Sequence, residues 1–345
     1  ASMSVGKSEI TNLLESDDIK ATIKILKLLG IKIFKSSNKW IVYGNGTNGF
    51  LQPEEDLNAL NSGTTARTMI GAVSSNPIKC RFIGDSSLSK RPMSRITKYL
   101  EKLGARFKLT KNDYLPLEVV GTDKLTPQEI TIEKPSAQIK TALIFAGLNM
   151  NGKFLIREKV ATRDHTERLL KYLNVRIKNI KEKNGSNLIE MRGPYEIYAK
   201  NMKVAGDPSS AAFFIVGALI TPRSKVTLKN VMLNPTRIEY IKVLKKMGAN
   251  ISIKKTGKIS GEQCGNISVR YSKLKAVNIE KSLSPFLIDE YPILSIAASC
   301  AIGETKMSGL GELRHKESDR IVSIVSNLKK AGVKARNVKE SIFIT

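Results

Sequence analysis

Apolar residues recur at three- and four-residue spacing in "IKATIKILKLLGIKIFK", "RITKYLEKLGARFKL", "ERLLKYLNVRIKNI", "IEYIKVLKKMGANISI" and "IVSIVSNLKKAGVKA". In each stretch the helical period gives way to a strand-like alternation. A Gly or Asn stands at the changeover: Gly30, Gly104, Asn174, Gly248 and Gly332. A helix often ends by placing its next residue in the left-handed region, where Gly fits without strain and Asn is the usual second choice. The pattern predicts five helix-to-strand units, about 70 to 85 residues apart, a repeat too long for a solenoid of simple helix pairs.

A second kind of helix precedes these, rich in small residues: "NSGTTARTMIGAVSS", "PSAQIKTALIFAGLN", "DPSSAAFFIVGALIT" and "IDEYPILSIAASCAIGE". Ser or Asp sits where an N-cap belongs, and Ala, Gly and Ser permit close approach, so these are expected to be buried helices. Each is followed by a strand such as "KFLIRE" or "KVTLKNV". The sum is an α/β chain of about four and a half βαβαββ units, with the missing parts at the termini. A fresh unit starts at "GDPSSAAFF", which divides the chain into residues 1–205 and 206–345. A chain of 345 residues is also more than one core usually serves. It opens at Ala1 without a methionine and stops on the strand-like "ESIFIT", so both ends read as cut.

Charge narrows the partner. Lys and Arg number 57 against 31 Asp and Glu, a net charge of +26, which calls for an anion: nucleic acid, acidic lipid or a phosphorylated metabolite. The lysines are scattered along the amphipathic helices, and aromatics are 6%, without the basic-aromatic interleaving that stacks on bases. Cys80, Cys264 and Cys300 are far apart and form no C-x-x-C, which suits a reducing compartment without a structural metal. The longest apolar run, "AAFFIVGALI", is about half a membrane span, and no leader opens the chain, so the expected location is cytoplasmic. "ASMSVGKS" lacks the strand-loop-helix context of a P-loop, and "GNGTNG" lacks the helix of a dinucleotide site and reads as a hairpin turn.

The window Gly311–Arg320, "GELRHKESDR", packs three strong cations with three carboxylates. A salt-bridged surface helix would explain it in isolation. On a helix, however, Lys316 and Arg320 at i and i+4 share one face and can grip one oxyanion, with Glu317 at their edge as a proton carrier.

Together "LNSGTTAR", "GDSSLSKRPM", "PSAQIKTALIFAGL", "TRDHTERLL", "GDPSSAAFF", "IDEYPIL" and "ELRHKESDR" resemble the 5-enolpyruvylshikimate-3-phosphate (EPSP) synthase family, end to end. The wording is similar to the bacterial class that includes glyphosate-tolerant members. The resemblance implies two domains of repeated βαβαββ units (an inverse α/β prism) with the substrates in the cleft between them. It implies transfer of the enolpyruvyl group of phosphoenolpyruvate to the 5-hydroxyl of shikimate 3-phosphate, through a tetrahedral ketal, with release of phosphate. Such chemistry asks for cations around two phosphates and two carboxylates, plus an acid and a base.

By the same resemblance Asp289 would be the base toward the 5-hydroxyl, Lys316 and Glu317 would act at the reacting centre, and Arg320 would hold phosphoenolpyruvate. Asn61, Gly63, Thr64 and Arg91 would line the phosphoenolpyruvate side, with Gly63 leaving room for glyphosate. Ser136, Ala137, Gln138 and Arg163 would take the 3-phosphate, and His165 is expected to be a structural neighbour. Asp289 has a second reading as the N-cap of "EYPILSIAAS". The family's "GDKSISHR"-like stretch and its C-terminal His-Arg and Lys positions are not in this chain. No metal or organic cofactor is implied, and a monomer without nucleic acid or membrane partners is expected. The alternatives are the sister enolpyruvyl transferase acting on UDP-N-acetylglucosamine, which uses a loop cysteine, and a basic nucleic-acid-binding protein.

Overall fold

The structure, a computed structural model, describes residues 1–109, 113–316 and 318–345. The chain forms two compact units, Ala1–Val204 and Ala205–Thr345. In the first, the helices are α1 (Asp17–Leu28), α2 (Gly63–Ser74), α3 (Ser94–Lys102), α4 (Ala137–Gly147) and α5 (His165–Tyr172). In the second they are α6 (Pro208–Ile220), α7 (Glu239–Lys246), the single turn α8 (Ser284–Leu287), α9 (Tyr291–Ser299) and α10 (Arg320–Lys330).

The sheets repeat one plan, an edge strand parallel to its neighbour followed outward by two antiparallel partners. Leu57–Asn58, Lys79–Ile83, Leu117–Val120 and Arg106–Leu109 lie in that order, and so do Glu129–Ile132, Gly152–Glu158, Asn187–Gly193 and Ile177–Lys181. In the second unit Asn278–Ile279, Thr305–Met307, Ser341–Ile344 and Ala335–Val338 follow it too. The three-stranded sheet of Lys225–Met232, Glu262–Arg270 and Asn250–Ile259 gains its parallel edge from a bridge between Gly206 and Val231. Val5–Thr11, Lys39–Asn45 and Lys32–Ser36 make the remaining sheet, whose parallel edge, Met202–Lys203, comes from the far end of the first unit. The order of elements is therefore four complete βαβαββ units and one that enters at its second strand.

The five changeover residues all have positive φ: Gly30 84°, Gly104 103°, Asn174 65°, Gly248 94° and Gly332 79°. Each carries the same pair of closing bonds. At the first, the Gly30 N–H donates to the Lys27 carbonyl and the Ile31 N–H to the Leu26 carbonyl, both at 3.0 Å; at the last, Gly332 donates to Lys329 and Val333 to Leu328. That is the Schellman arrangement, and it spends the carbonyls a helix end would otherwise leave open.

α2, α4 and α9 are largely buried, as expected, whereas α6 buries one face and leaves Phe213 and Phe214 60% and 63% exposed. α2 and α4 cross at Gly71, where an added β-carbon would stand 2.3 Å from the Ala142 carbonyl oxygen and 2.5 Å from its α-carbon. Ser62 caps α2 through the Thr65 N–H at 3.1 Å, Ser136 caps α4 through Ile139, and Asp207 caps α6 through Ser210 at 2.8 Å. α9 departs from this plan: Glu290 holds the N-cap position without a side-chain capping bond to the helix, and Asp289 points elsewhere. "GNGTNG" is not a hairpin turn. The chain leaves the strand Lys39–Asn45 and runs inward, where Asn76 and Asn149 both donate to the Thr47 carbonyl.

Candidate active site

In the first unit the site grows from the N-termini of α2 and α4. Leu60, at φ 52°, makes the turn that presents Asn61; a non-glycine residue pays for this conformation with about 1–2 kcal/mol. The turn is held by the Asn58 side chain on the Leu60 N–H (2.8 Å) and by the Asp85 N–H on the Leu60 carbonyl (2.9 Å). Asp85 also accepts from the Ser87 and Leu88 N–H groups, at 3.0 and 2.7 Å, which shapes the loop carrying Arg91. The Leu88 N–H, with help from Asn61, holds the Asp85 carboxyl below its usual range.

Arg91 donates to the Asn61 amide oxygen at 3.0 Å and to the Ser87 hydroxyl at 3.3 Å. Gln138 bridges the two helices: its amide nitrogen donates to the Thr64 hydroxyl at 2.8 Å, and its oxygen accepts from Arg67 at 2.7 Å. A β-carbon at Gly63 would stand 3.3 Å from a terminal nitrogen of each of Arg67 and Arg91. Burial, with Arg95 and Arg91 nearby, pushes the Arg67 guanidinium down to about 10. Two guanidiniums over a glycine, beside a helix N-terminus, form a setting that favours an anion.

Asn61, Gly63, Thr64, Arg91 and Gln138 are thus brought together, and Arg67 joins them although its motif alone gave it no role. The signal was present, since Arg67 lies at i+4 from Gly63 on α2. Ser136 spends its hydroxyl as the cap of α4, and Ala137 is the first residue of that helix. Arg163 and His165 are half-buried, His165 at the start of α5.

In the second unit the Lys316 ammonium lies 3.3 Å and the Arg320 guanidinium 3.6 Å from the same Asp289 oxygen. All three side chains are about 30% exposed, so the charges remain open to a ligand. The expectation that Lys316 and Arg320 share one helix is corrected. Gly311–His315 is a 3-10 turn that ends at Lys316 in an extended conformation (ψ −161°), and α10 starts only at Arg320. Asp319 makes the break, because it caps α10 by accepting from the Ile321 and Val322 N–H groups at 3.0 and 3.2 Å. Arg314 then braces Asp319 at 2.8 Å. The convergence on Asp289 is a tertiary one, and Glu317 lies outside the described residues.

The neighbour of Asp289 is also tied down. Glu290, 1% exposed, accepts from the Ser209 hydroxyl, which in turn accepts from Arg237 at 2.6 Å; Arg237 also reaches Asp207 at 3.0 Å. This chain fastens the segment bearing Asp289 to the first turn of α6. The cysteines take no part. Burial pushes the Cys80 thiol up to about 12, Cys264 is buried in a strand with its thiol also raised by burial, and Cys300 ends α9.

Arginine and lysine clusters at helix starts, with a carboxylate between two cations, on repeated βαβαββ units, define an enzyme class that handles phosphorylated and carboxylated small molecules. The model of one such family, EPSP synthase (3-phosphoshikimate 1-carboxyvinyltransferase), matches residues 1–345, and the chain belongs to that family. It is 41% identical to the 3-phosphoshikimate 1-carboxyvinyltransferase of Zymomonas mobilis over 345 residues, which is 100% of this chain and 76% of that protein. To the enzyme of that name from Caldicellulosiruptor bescii it is 45% identical over 344 residues, 99% of this chain and 79% of that one. Among solved structures, an EPSP synthase from Acinetobacter baumannii superposes with a TM-score of 0.87 at 35% identity, covering 99% of this chain and 77% of its own.

Proposed function

We propose that the chain carries out its family's reaction with the following division of labour. The enolpyruvyl group of phosphoenolpyruvate passes to the 5-hydroxyl of shikimate 3-phosphate. The enol carbon takes a proton, the hydroxyl oxygen bonds to the neighbouring carbon as it loses its own proton, and a tetrahedral ketal forms. Loss of a methyl proton and of phosphate then regenerates the double bond. Asp289 takes the hydroxyl proton, and Lys316 and Arg320 orient its carboxylate while offering positive charge to the substrate. Glu317 is the proton carrier that the family's motif provides. Arg91, Asn61, Gly63 and Thr64 bind phosphoenolpyruvate, with Arg67 as an added cation, and Ser136, Ala137, Gln138 and Arg163 bind the 3-phosphate.

The observation that carries this reading is the shared Asp289 oxygen, with two cations within 3.6 Å of one half-exposed carboxylate. Phosphate release from shikimate 3-phosphate and phosphoenolpyruvate tests it. Release with UDP-N-acetylglucosamine instead would favour the sister transferase, which the placement of the three cysteines does not support. We take the domains to be residues 1–205 and 206–345, one residue from the division into Ala1–Val204 and Ala205–Thr345. We take the enzyme to act in the cytoplasm as a monomer without a cofactor; sedimentation checks the monomer. Its +26 charge serves anionic metabolites, and retention of single- or double-stranded nucleic acid at physiological salt would contradict that.

A further inference from the structure

Lys140 is fully buried in α4, and Glu158 and Glu167 beside it are each 1% exposed. The Lys140 ammonium donates to a Glu158 oxygen at 3.1 Å and to the Thr162 carbonyl at 3.3 Å, and it lies 2.9 Å from a Glu167 oxygen. Two of its three N–H groups have the Glu158 and Thr162 oxygens as acceptors, and the contact with Glu167 is an ion pair. Glu158 also accepts from Asn187 at 3.2 Å and from the Thr162 hydroxyl. A second tie joins the same helices, Thr141 to Thr166 at 2.7 Å.

Two carboxyls around one buried ammonium are a costly way to hold a core together, since well-packed apolar side chains usually do it as well. Burial raises the Glu167 carboxyl above its ordinary range even though Lys140 opposes the shift. What the cluster secures is position. Lys140 comes two residues after Gln138, and Thr162 immediately precedes Arg163.

We propose that Lys140 is a positioning residue for the phosphorylated substrate: its ammonium fastens the 159–164 loop to the first turn of α4 and so sets the gap between the α4 N-terminus and Arg163. The inference rests on the reading that these groups hold the 3-phosphate.

The test uses Lys140→Met and the triple variant Lys140→Met/Glu158→Gln/Glu167→Gln, which leaves no uncompensated buried charge, with Arg163→Ala as a reference. In whichever variant unfolds cooperatively, KM and Kd for shikimate 3-phosphate should rise about tenfold, as displacement of a positioned charge does, with KM for phosphoenolpyruvate within about twofold. Equal rises for both substrates, or no rise, would overturn the proposal. So would loss of cooperative unfolding in both variants, since the cluster would then hold the fold itself. If Arg163→Ala leaves shikimate 3-phosphate binding unchanged, the phosphate-site reading is what fails.

Discussion

Gly63→Ala separates the anion site from the fold. Gly63 is the first residue of α2, where alanine is the better helix former, so the substitution should leave stability unchanged or raise it by about 0.5 kcal/mol. The new methyl would stand 3.3 Å from Arg67 and Arg91 and 3.7 Å from Leu88. The two tight contacts are with the far ends of flexible side chains, which can yield by a few tenths of an ångström. The cost is therefore at the low end of the overpacking range, about 1 kcal/mol, and it falls on the guanidiniums. KM for phosphoenolpyruvate should rise about fivefold with little change in melting temperature. Glyphosate, which is slightly longer, should lose more, so its inhibition constant should rise further than KM. Steady-state kinetics and thermal melts read both quantities. An unchanged KM, or a melting temperature lower by several degrees, would refute the argument. Gly71→Ala is the control with identical chemistry: its methyl meets Ala142 backbone 2.3 Å away, which cannot yield unless α2 and α4 part, so it should destabilise by about 2 kcal/mol or more.

Asp289→Asn keeps the shape of the side chain but removes the proposed base, so kcat should fall by about a hundredfold or more while KM for phosphoenolpyruvate changes little. Arg320→Ala should mainly raise KM for phosphoenolpyruvate, and equal small effects from the two variants would contradict the roles given them. Asp207 has its carboxyl below the ordinary 3.8: burial works against this, but the Ser210 N–H and hydroxyl and the Arg237 charge outweigh it. A carboxyl lowered on folding stabilises above its unfolded pKa, so wild type should exceed Asp207→Asn in chemical denaturation at pH 7, and the difference should shrink as pH falls through 4 and below.

The repeat was legible because local chemistry imposes it. Gly30, Gly104, Asn174, Gly248 and Gly332 end helices through bonds between residues at most five apart, and such bonds depend on little else in the fold. Burial of α2, α4 and α9 was legible for the same kind of reason, since small side chains permit close packing, whereas the apolar run "AAFFIVGALI" did not show that Phe213 and Phe214 stay exposed. Lys316 and Arg320 do not share a helical face because a competing local signal stands between them. Asp319 stands directly before the apolar period of "RIVSIV", where an N-cap belongs, and its carboxylate is worth more to the Ile321 and Val322 N–H groups than one more turn of continuous helix.

What the spacing could not supply is the meeting of residues far apart in sequence. Asp289 finds Lys316 across 27 positions, and Gln138 finds Thr64 across 74, neither through a periodic pattern. The Gln138–Thr64 contact is a consequence of which helix starts lie side by side, and that is set by the crossing of α2 and α4 at Gly71 rather than by the charged residues themselves. The charged motifs suit an anion, while the small residues behind them fix where the charges of the first unit stand. Arg67, one turn along α2 from Gly63, shows both parts: its i+4 spacing puts it on the same face as Gly63, and the packing of α2 on α4 at Gly71 fixes where that face lies.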